Sequence, residues 1–230
     1  MPSEEFNMNR DIVWHELYDA IGNDECPVCK LLKKNIDHFV SAFLYENVND
    51  PKLRDQLKDS RGLCNTHAWL MQSYGDPLSH AIIYESLLRD MAEELNKKTL
   101  ASGKKRKHDL LSRLEPKGDC MLCEMEAKYE TTYLKALDEF IGSDDVFRGK
   151  FEESGFLCIP HLKRLIALNT NDSTIRMMQD INKSKYAVMI SQLSEIRRKN
   201  DYRFSDEPWT PEERHAWGKA VGVMAGRKVY

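Results

Sequence analysis

Apolar residues recur along most of the chain at steps of three and four, the spacing of one face of an α-helix. Leu31, Ile36, Phe39, Val40, Phe43 and Leu44 keep this rhythm after Pro27. A proline suits a first helical turn because its missing N–H has no intrahelical role there. Met125, Tyr129, Tyr133, Leu137, Phe140 and Ile141 do the same in the second half. Asn49-Asp50-Pro51 and Gly142-Ser143-Asp144-Asp145 read as caps opening short helices that end near Ser60 and Ser154. Further helices are expected up to about Ser73 and Leu168. The longest should run from Asp76-Pro77 to about Leu100, and from Asn171-Asp172-Ser173 to about Lys199. A first helix is expected over Asn9 to Ala20. A last one starts at Thr210, where Thr210-Pro211-Glu212-Glu213 supplies an N-cap and an acidic first turn. No segment alternates as a strand would.

The pattern therefore predicts an all-α fold. Self-similarity refines it. Cys26 and Cys120, Cys29 and Cys123, Cys64 and Cys158, and His67 and His161 are each separated by 94 residues. Ser60 and Leu63 recur as Ser154 and Leu157 at the same distance. The other histidines do not: His15, His38, His80 and His108 shift onto Asp109, Thr132, Thr174 and Tyr202, and His215 shifts beyond the chain. No cysteine lies outside the pattern. The expectation is a tandem duplicated helical repeat, about four helices per repeat, with additional N- and C-terminal helices. The expected divisions are residues 1–101 (first helix and first repeat), 102–118 (linker), 119–204 (second repeat) and 205–230 (C-terminal helix).

Composition narrows the class without choosing a function. Hydrophobic residues make up 41% and charged residues 31% of the 230, and the net charge of −3 gives no general pull toward nucleic acid or anionic membranes. No apolar run approaches the roughly 20 residues that cross a bilayer. The polar, acidic start is not a secretory signal, so a cytoplasmic protein without membrane association is expected. Six cysteines in a chain of this length are too few for a disulfide scaffold, and their pairing near histidines points to metal in a reducing compartment.

Structural zinc takes four tetrahedral ligands, commonly thiolates and imidazoles. A C-x2-C pair lets two sulfurs reach one ion from a turn entering a helix, and a C-x2-H pair at another helix start offers the other two. The reading is one Cys3His zinc site in each half: Cys26, Cys29, Cys64 and His67, then Cys120, Cys123, Cys158 and His161. An iron–sulfur cluster is the alternative cofactor, although clusters usually prefer four thiolates. Each imidazole would need a partner for its outer nitrogen, and the sequence does not name one.

Other chemistries find less support. A thioredoxin-type pair would want a βαβ setting, and Cys120-Met121-Leu122-Cys123 lacks the proline. Four protein ligands per site leave no open position for a catalytic water. No phosphate-cradling glycine loop, H-E-x-x-H or nucleophile elbow occurs, so enzymatic activity gains no support. Asp24, Glu25, Asp119 and Glu124, beside the cysteines, read as caps or solvated surface. Lys104 to Lys107 and Arg197-Arg198-Lys199 raise nucleic acid or the ribosome as a third reading, against solvated linker and a cationic helix end. Trp69, Trp209 and Trp217 are expected to pack.

Cys26-Pro27-Val28-Cys29, Gly62-Leu63-Cys64-Asn65-Thr66-His67-Ala68-Trp69, the second Cys/His set and Trp217-Gly218-Lys219-Ala220-Val221-Gly222 together resemble an uncharacterised prokaryotic domain family, frequent among archaeal and bacterial anaerobes. The resemblance spans nearly the whole chain. It implies that these cysteines and histidines are metal ligands, and it brings no activity with it. The functional expectation is a cytoplasmic metal-binding helical protein with a structural or adaptor role toward protein partners. An iron–sulfur redox or sensor protein and a nucleic-acid-associated factor are the alternatives.

Overall fold

The computed structural model describes residues 10–22, 24–98, 102–168, 171–204 and 206–227. Among them there is no strand, as the all-α reading requires. The helices are α1 (Arg10–Ala20), α2 (Pro27–Ala42), α3 (Pro51–Asp59), α4 (Asn65–Ser73), α5 (Pro77–Asn96), α6 (Gly103–Leu114), α7 (Met121–Ser143), α8 (Asp145–Ser154), α9 (Ile159–Ala167), α10 (Asp172–Lys199) and α11 (Pro211–Ala225). A π turn at Phe43–Asn47 follows α2, and a 3₁₀ turn at Tyr202–Phe204 follows α10. The expected end of α5 near Leu100 and the start of α1 at Asn9 lie outside the described residues. None of the described helices is long and apolar enough to cross a membrane.

Local chemistry accounts for the boundaries. Asp50, Asp76, Asp144 and Asn171 each accept a hydrogen bond from a backbone N–H in the first turn of the helix that follows. Proline stands at the start of α3, α5 and α11. The segment 102–118, read as a linker, instead carries α6. Its leucines and basic residues are mostly exposed, and none of its residues is buried, so the helix presents little apolar rhythm.

The chain forms two compact units. One holds the described residues up to Lys33 together with those from Tyr129 to Arg227. The other runs from Lys34 to Lys128. The boundaries therefore fall inside α2 and α7 and not at the expected linker. Each unit takes helices from both halves of the sequence.

The first unit has its own core of Leu17, Val28, Leu31, Tyr133, Leu137, Phe140, Phe147, Phe151 and Met178. Trp14 and Tyr18 pack against it, and Trp14 Nε1 donates to Asp144 Oδ2 at 3.0 Å, fixing α1 to the start of α8. The second unit has a separate core of Ile36, Val40, Phe43, Leu57, Leu70, Met71, Ile83 and Leu122.

The three tryptophans depart from expectation. Trp69 is 62% and Trp217 63% exposed, and Trp209 is exposed as well. On α4 the buried face is His67, Leu70 and Met71; on α11 it is Glu213, Ala216 and Val223. Trp69 falls on the side of α4 opposite this face, and Trp217 falls at the border of the buried face of α11.

The last helix is anchored by charge. Thr210 and Glu213 form a capping box, with Glu213 N donating to Thr210 Oγ1 at 3.2 Å and Thr210 N to Glu213 Oε2 at 2.9 Å. Lys199 Nζ at the end of α10 lies 2.8 Å from the same carboxylate, and both side chains are buried. The lysine, followed by the cap N–H, holds the Glu213 carboxyl below its ordinary value. A depressed carboxylate contributes stability above the unfolded-state value and loses it as pH falls through the folded one. Glu213→Gln should therefore be less stable than the parent at neutral pH, and the gap should close as pH drops below the usual glutamate range. Denaturant titrations across pH measure this. Thr210→Ala should cost about 1 kcal/mol in the same assay, with little change of the gap across pH.

Candidate metal centres

All four C-x2-C and C-x2-H motifs sit at helix starts. Cys26 immediately precedes α2, and its carbonyl accepts the N–H of Lys30 at 3.1 Å, while Cys29 lies in the first turn. Cys120 and Cys123 hold the same places on α7, and Glu124 N donates to Cys120 O at 3.1 Å. Cys64 and Cys158 are the N-cap residues of α4 and α9. Neither sulfur caps its own helix. The partial positive charge of a helix N-terminus favours thiolate over thiol at each position.

The eight residues gather into two quartets, but not the two expected from the order of the chain. Cys26 and Cys29 meet Cys158 and His161; Cys64 and His67 meet Cys120 and Cys123. Within each quartet the ligand atoms lie within 4.8 Å of one another, and either could hold a metal ion. In the first, His161 Nδ1 is 3.4 Å from both Cys26 and Cys29 Sγ and 3.1 Å from Cys158 Sγ, and Cys29 and Cys158 Sγ are 3.6 Å apart. In the second, His67 Nδ1 is 3.3 Å from Cys64, 3.4 Å from Cys123 and 3.6 Å from Cys120, and the Cys64 and Cys123 sulfurs are 3.6 Å apart. All six cysteines are free of disulfides. Each quartet lies within a single compact unit.

The local folding explains the pairings. In the second unit, Lys117 N and Gly118 N donate to Asp59 O at 2.7 and 3.3 Å, which brings the approach to α7 against the end of α3 just before Cys64. Arg61 Nη2 adds a bond of 2.7 Å to Arg113 O. In the first unit, the buried amide of Asn182 on α10 brackets the residue before Cys158, accepting from Leu157 N at 3.1 Å and donating to Leu157 O at 3.2 Å. Gly226, with φ +82° beyond α11, packs over the first quartet. A Cβ there would stand 3.9 Å from Cys158 Sγ and 4.0 Å from Cys29 Sγ. Asn182 and Gly226 gave no sequence signal, since neither recurs in the 94-residue pattern.

Both histidines turn Nδ1 to the sulfurs and Nε2 to a glutamate on α7. Glu126 Oε2 is 3.2 Å from His67 Nε2, an ion-pair distance without the alignment of a hydrogen bond, and Glu130 Oε1 is 3.7 Å from His161 Nε2. Such carboxylates orient a metal-binding imidazole and raise its basicity. Of the acidic residues flanking the cysteines, Asp24 is exposed and pairs with Lys219 at 2.5 Å, in keeping with a surface role.

Electrostatics show what the sulfurs require. Burial, followed by contact with Cys158 and Cys29, pushes the Cys26 thiol far up. Hydrogen bonds from Cys26 and Cys29, reinforced by His161, pull Cys158 far down despite its burial. Burial disfavours a charged His161, yet the neighbouring sulfurs raise it to about 10. In the second quartet burial and the other sulfurs push Cys123 up to about 12. Burial also opposes the Cys120 thiolate, but His67 and backbone N–H groups outweigh it and bring Cys120 down to about 6. For His67, burial is outweighed by Cys120 and Cys64, and the net shift is upward. In each pocket the thiolate and the charged imidazole favour one another, and a neighbouring thiol resists ionisation. A divalent cation would stabilise all three sulfurs as thiolates and leave the imidazole neutral.

The fold and site define an all-helical protein with two Cys3His clusters, each of which could hold a metal ion. The chain belongs to a family of unknown function, DUF6062, which it matches over residues 8–229. It is 35% identical over 203 residues to an uncharacterised 23.9 kDa protein in the xynA 3′ region of Caldicellulosiruptor sp. (strain Rt8B.4), a match covering 88% of this chain and 96% of the relative. No solved structure matches.

The crossed pairing has a direct readout in metal stoichiometry. Cys26→Ser with Cys158→Ser should remove one ion per chain, because both changes strike the same quartet. Cys26→Ser with Cys64→Ser should remove two. The reverse result, measured by elemental analysis of folded protein, would restore the pairing by sequence order.

Proposed function

We propose that the protein binds two zinc ions, each with a structural role, and that the resulting helical scaffold works as an interaction or adaptor protein in the cytoplasm. The observation that carries this reading is the size of the quartets. Zinc–sulfur bonds of about 2.3 Å and zinc–nitrogen bonds of about 2.0 Å imply tetrahedral edges of about 3.8 Å between sulfurs and about 3.5 Å between sulfur and nitrogen. The sulfur–sulfur contact of 3.6 Å in each quartet and the imidazole distances fit one ion at the centre. In a polynuclear cluster the ligands are shared among several irons separated by bridging sulfides, so they stand farther apart than around one ion. Zinc is therefore favoured over an iron–sulfur cluster.

Four protein ligands complete a tetrahedron and leave no position for a reacting water, which favours a structural ion over a catalytic one. Free cysteines in such sites suit a reducing compartment. The first ion would tie Cys26 to His161 across 135 residues, and the second would tie His67 to Cys123 across 56. Ligands so separated rarely meet in an unfolded chain, so metal binding would appear as folding stability.

The helix starts support an internal duplication as well. Pro27, Pro51 and Asn65 open α2, α3 and α4, and Met121, Asp145 and Ile159 open α7, α8 and α9, each 94 residues later. Helix α6, at Gly103, stands in nearly the same relation to α1. Each compact unit combines a first helix and a C-x2-C motif from one copy with the C-x2-H motif from the other. We read the two copies as having exchanged these elements within one chain.

Anaerobic purification followed by elemental analysis and an absorption spectrum tests the metal. Two zinc per chain without visible charge-transfer bands is the expected result, and a brown protein containing iron and labile sulfide would sink the reading. Chelation should lower the thermal midpoint. Glu126→Gln should weaken the second site about 10- to 100-fold in competition with a chromogenic chelator, leaving the first unchanged.

A further inference from the structure

The two quartets share a ligand set but differ in exposure. Cys26, Cys29, Cys158 and His161 are all buried, and the backbone of Gly226 lies against two of their sulfurs. In the other quartet only His67 is buried. Cys64 is partly covered and Cys123 is exposed. A solute therefore has direct access to Cys123, and a second sulfur, that of Cys64, waits 3.6 Å away. Susceptibility of cysteine to oxidation follows thiolate character and exposure, and a neighbouring sulfur resolves the first oxidation product into a disulfide.

We propose that Cys123 and Cys64 form a peroxide-sensitive pair whose oxidation to a disulfide dismantles the second metal centre while the first stays intact. The proposal rests on the metal-binding reading above and adds a regulation to one of its two sites. With a cation bound Cys123 is a thiolate, and it attacks one oxygen of hydrogen peroxide; the S–O bond forms, the O–O bond breaks, and the departing hydroxide takes a proton from solvent to become water. The Cys64 thiolate then attacks the Cys123 sulfur. The S–S bond forms, the S–O electron pair leaves with hydroxide, and a second proton from solvent gives a second water. Two sulfurs together lose two electrons and hydrogen peroxide gains them. Only Cys120 and His67 then remain as ligands, and the cation passes to solvent. A cellular dithiol reverses the step by reducing the disulfide.

The test uses the full chain purified anaerobically, with its metal content measured first. Hydrogen peroxide is added while released metal is followed with a chromogenic chelator and each cysteine by differential alkylation and peptide mass mapping. One ion per chain should leave at least about tenfold faster than the other, together with a Cys64–Cys123 disulfide. Dithiol and added metal should restore the starting state. Release of both ions at one rate, or oxidation beginning at Cys26, Cys29 or Cys158, would overturn the proposal. Cys123→Ser should abolish the fast phase and keep the buried ion; a surviving fast phase counts against the pair. Should that variant not fold, the peptide map of the parent protein decides. A chain purified without metal is loaded with zinc before peroxide is added, so the order of release and oxidation tests Cys123 and Cys64 separately from the metal found on purification.

Discussion

The physical constraint that dominates this molecule is the placement of three sulfurs and an imidazole in a volume too small for them to ionise independently. The first quartet is buried, and burial makes an isolated thiolate costly. Helix N-termini supply partial positive charge from two directions, but this is a fraction of what three thiolates need. Cys26 and Cys29 hydrogen bonds favour the Cys158 thiolate, and His161 adds to them. The two glutamates on α7 approach the outer nitrogens, while Nδ1 of each ring is turned to the sulfurs. Either pocket could take a metal cation as the remaining charge.

The helices themselves were largely legible in the amino-acid pattern, because their boundaries are written in short-range chemistry. Asp50-Pro51, Asp76-Pro77, Asp144 and the Thr210/Glu213 box act within four residues of the helix they open. The eight ligand residues were legible for a different reason: a common 94-residue displacement singles them out. Their partnership was not. When two copies of one segment share a chain, closing the motif of each copy on itself or on the other leaves the same residues at the same spacing. The choice depends on long-range packing, such as Lys117 and Gly118 bonding to Asp59, and that has no counterpart in the spacing.

The residues that escaped notice escaped for related reasons. Asn182 and Gly226 serve the first quartet only, and Glu126 and Glu130 lie four residues apart on a single helix instead of 94 apart in two. The 94-residue displacement marks only residues that occur at both of its ends. Helix α6 was missed because few of its side chains are covered, so little of the apolar rhythm that betrays a helix is present. The exposed Trp69 and Trp217 mislead in the opposite sense. Tryptophan is buried on average, yet helical phase decides the matter locally, and His67, Leu70 and Met71 already occupy the inward face of α4.

Identical ligand sets, then, do not make equivalent sites. Each quartet has three sulfurs, one Nδ1, two helix starts and one glutamate behind the ring. What separates them is the cover. The first quartet lies within the buried core with Gly226 against two of its sulfurs, whereas Cys123 in the other is exposed. A sealed thiolate pocket excludes the oxidants and competing ligands that could strip its ion, so its thermodynamic role can be permanent. An open pocket built from the same atoms exchanges with its surroundings. The 94-residue spacing supplies two equal sets of candidate ligands, and the packing laid around each set separates a sealed pocket from an open one.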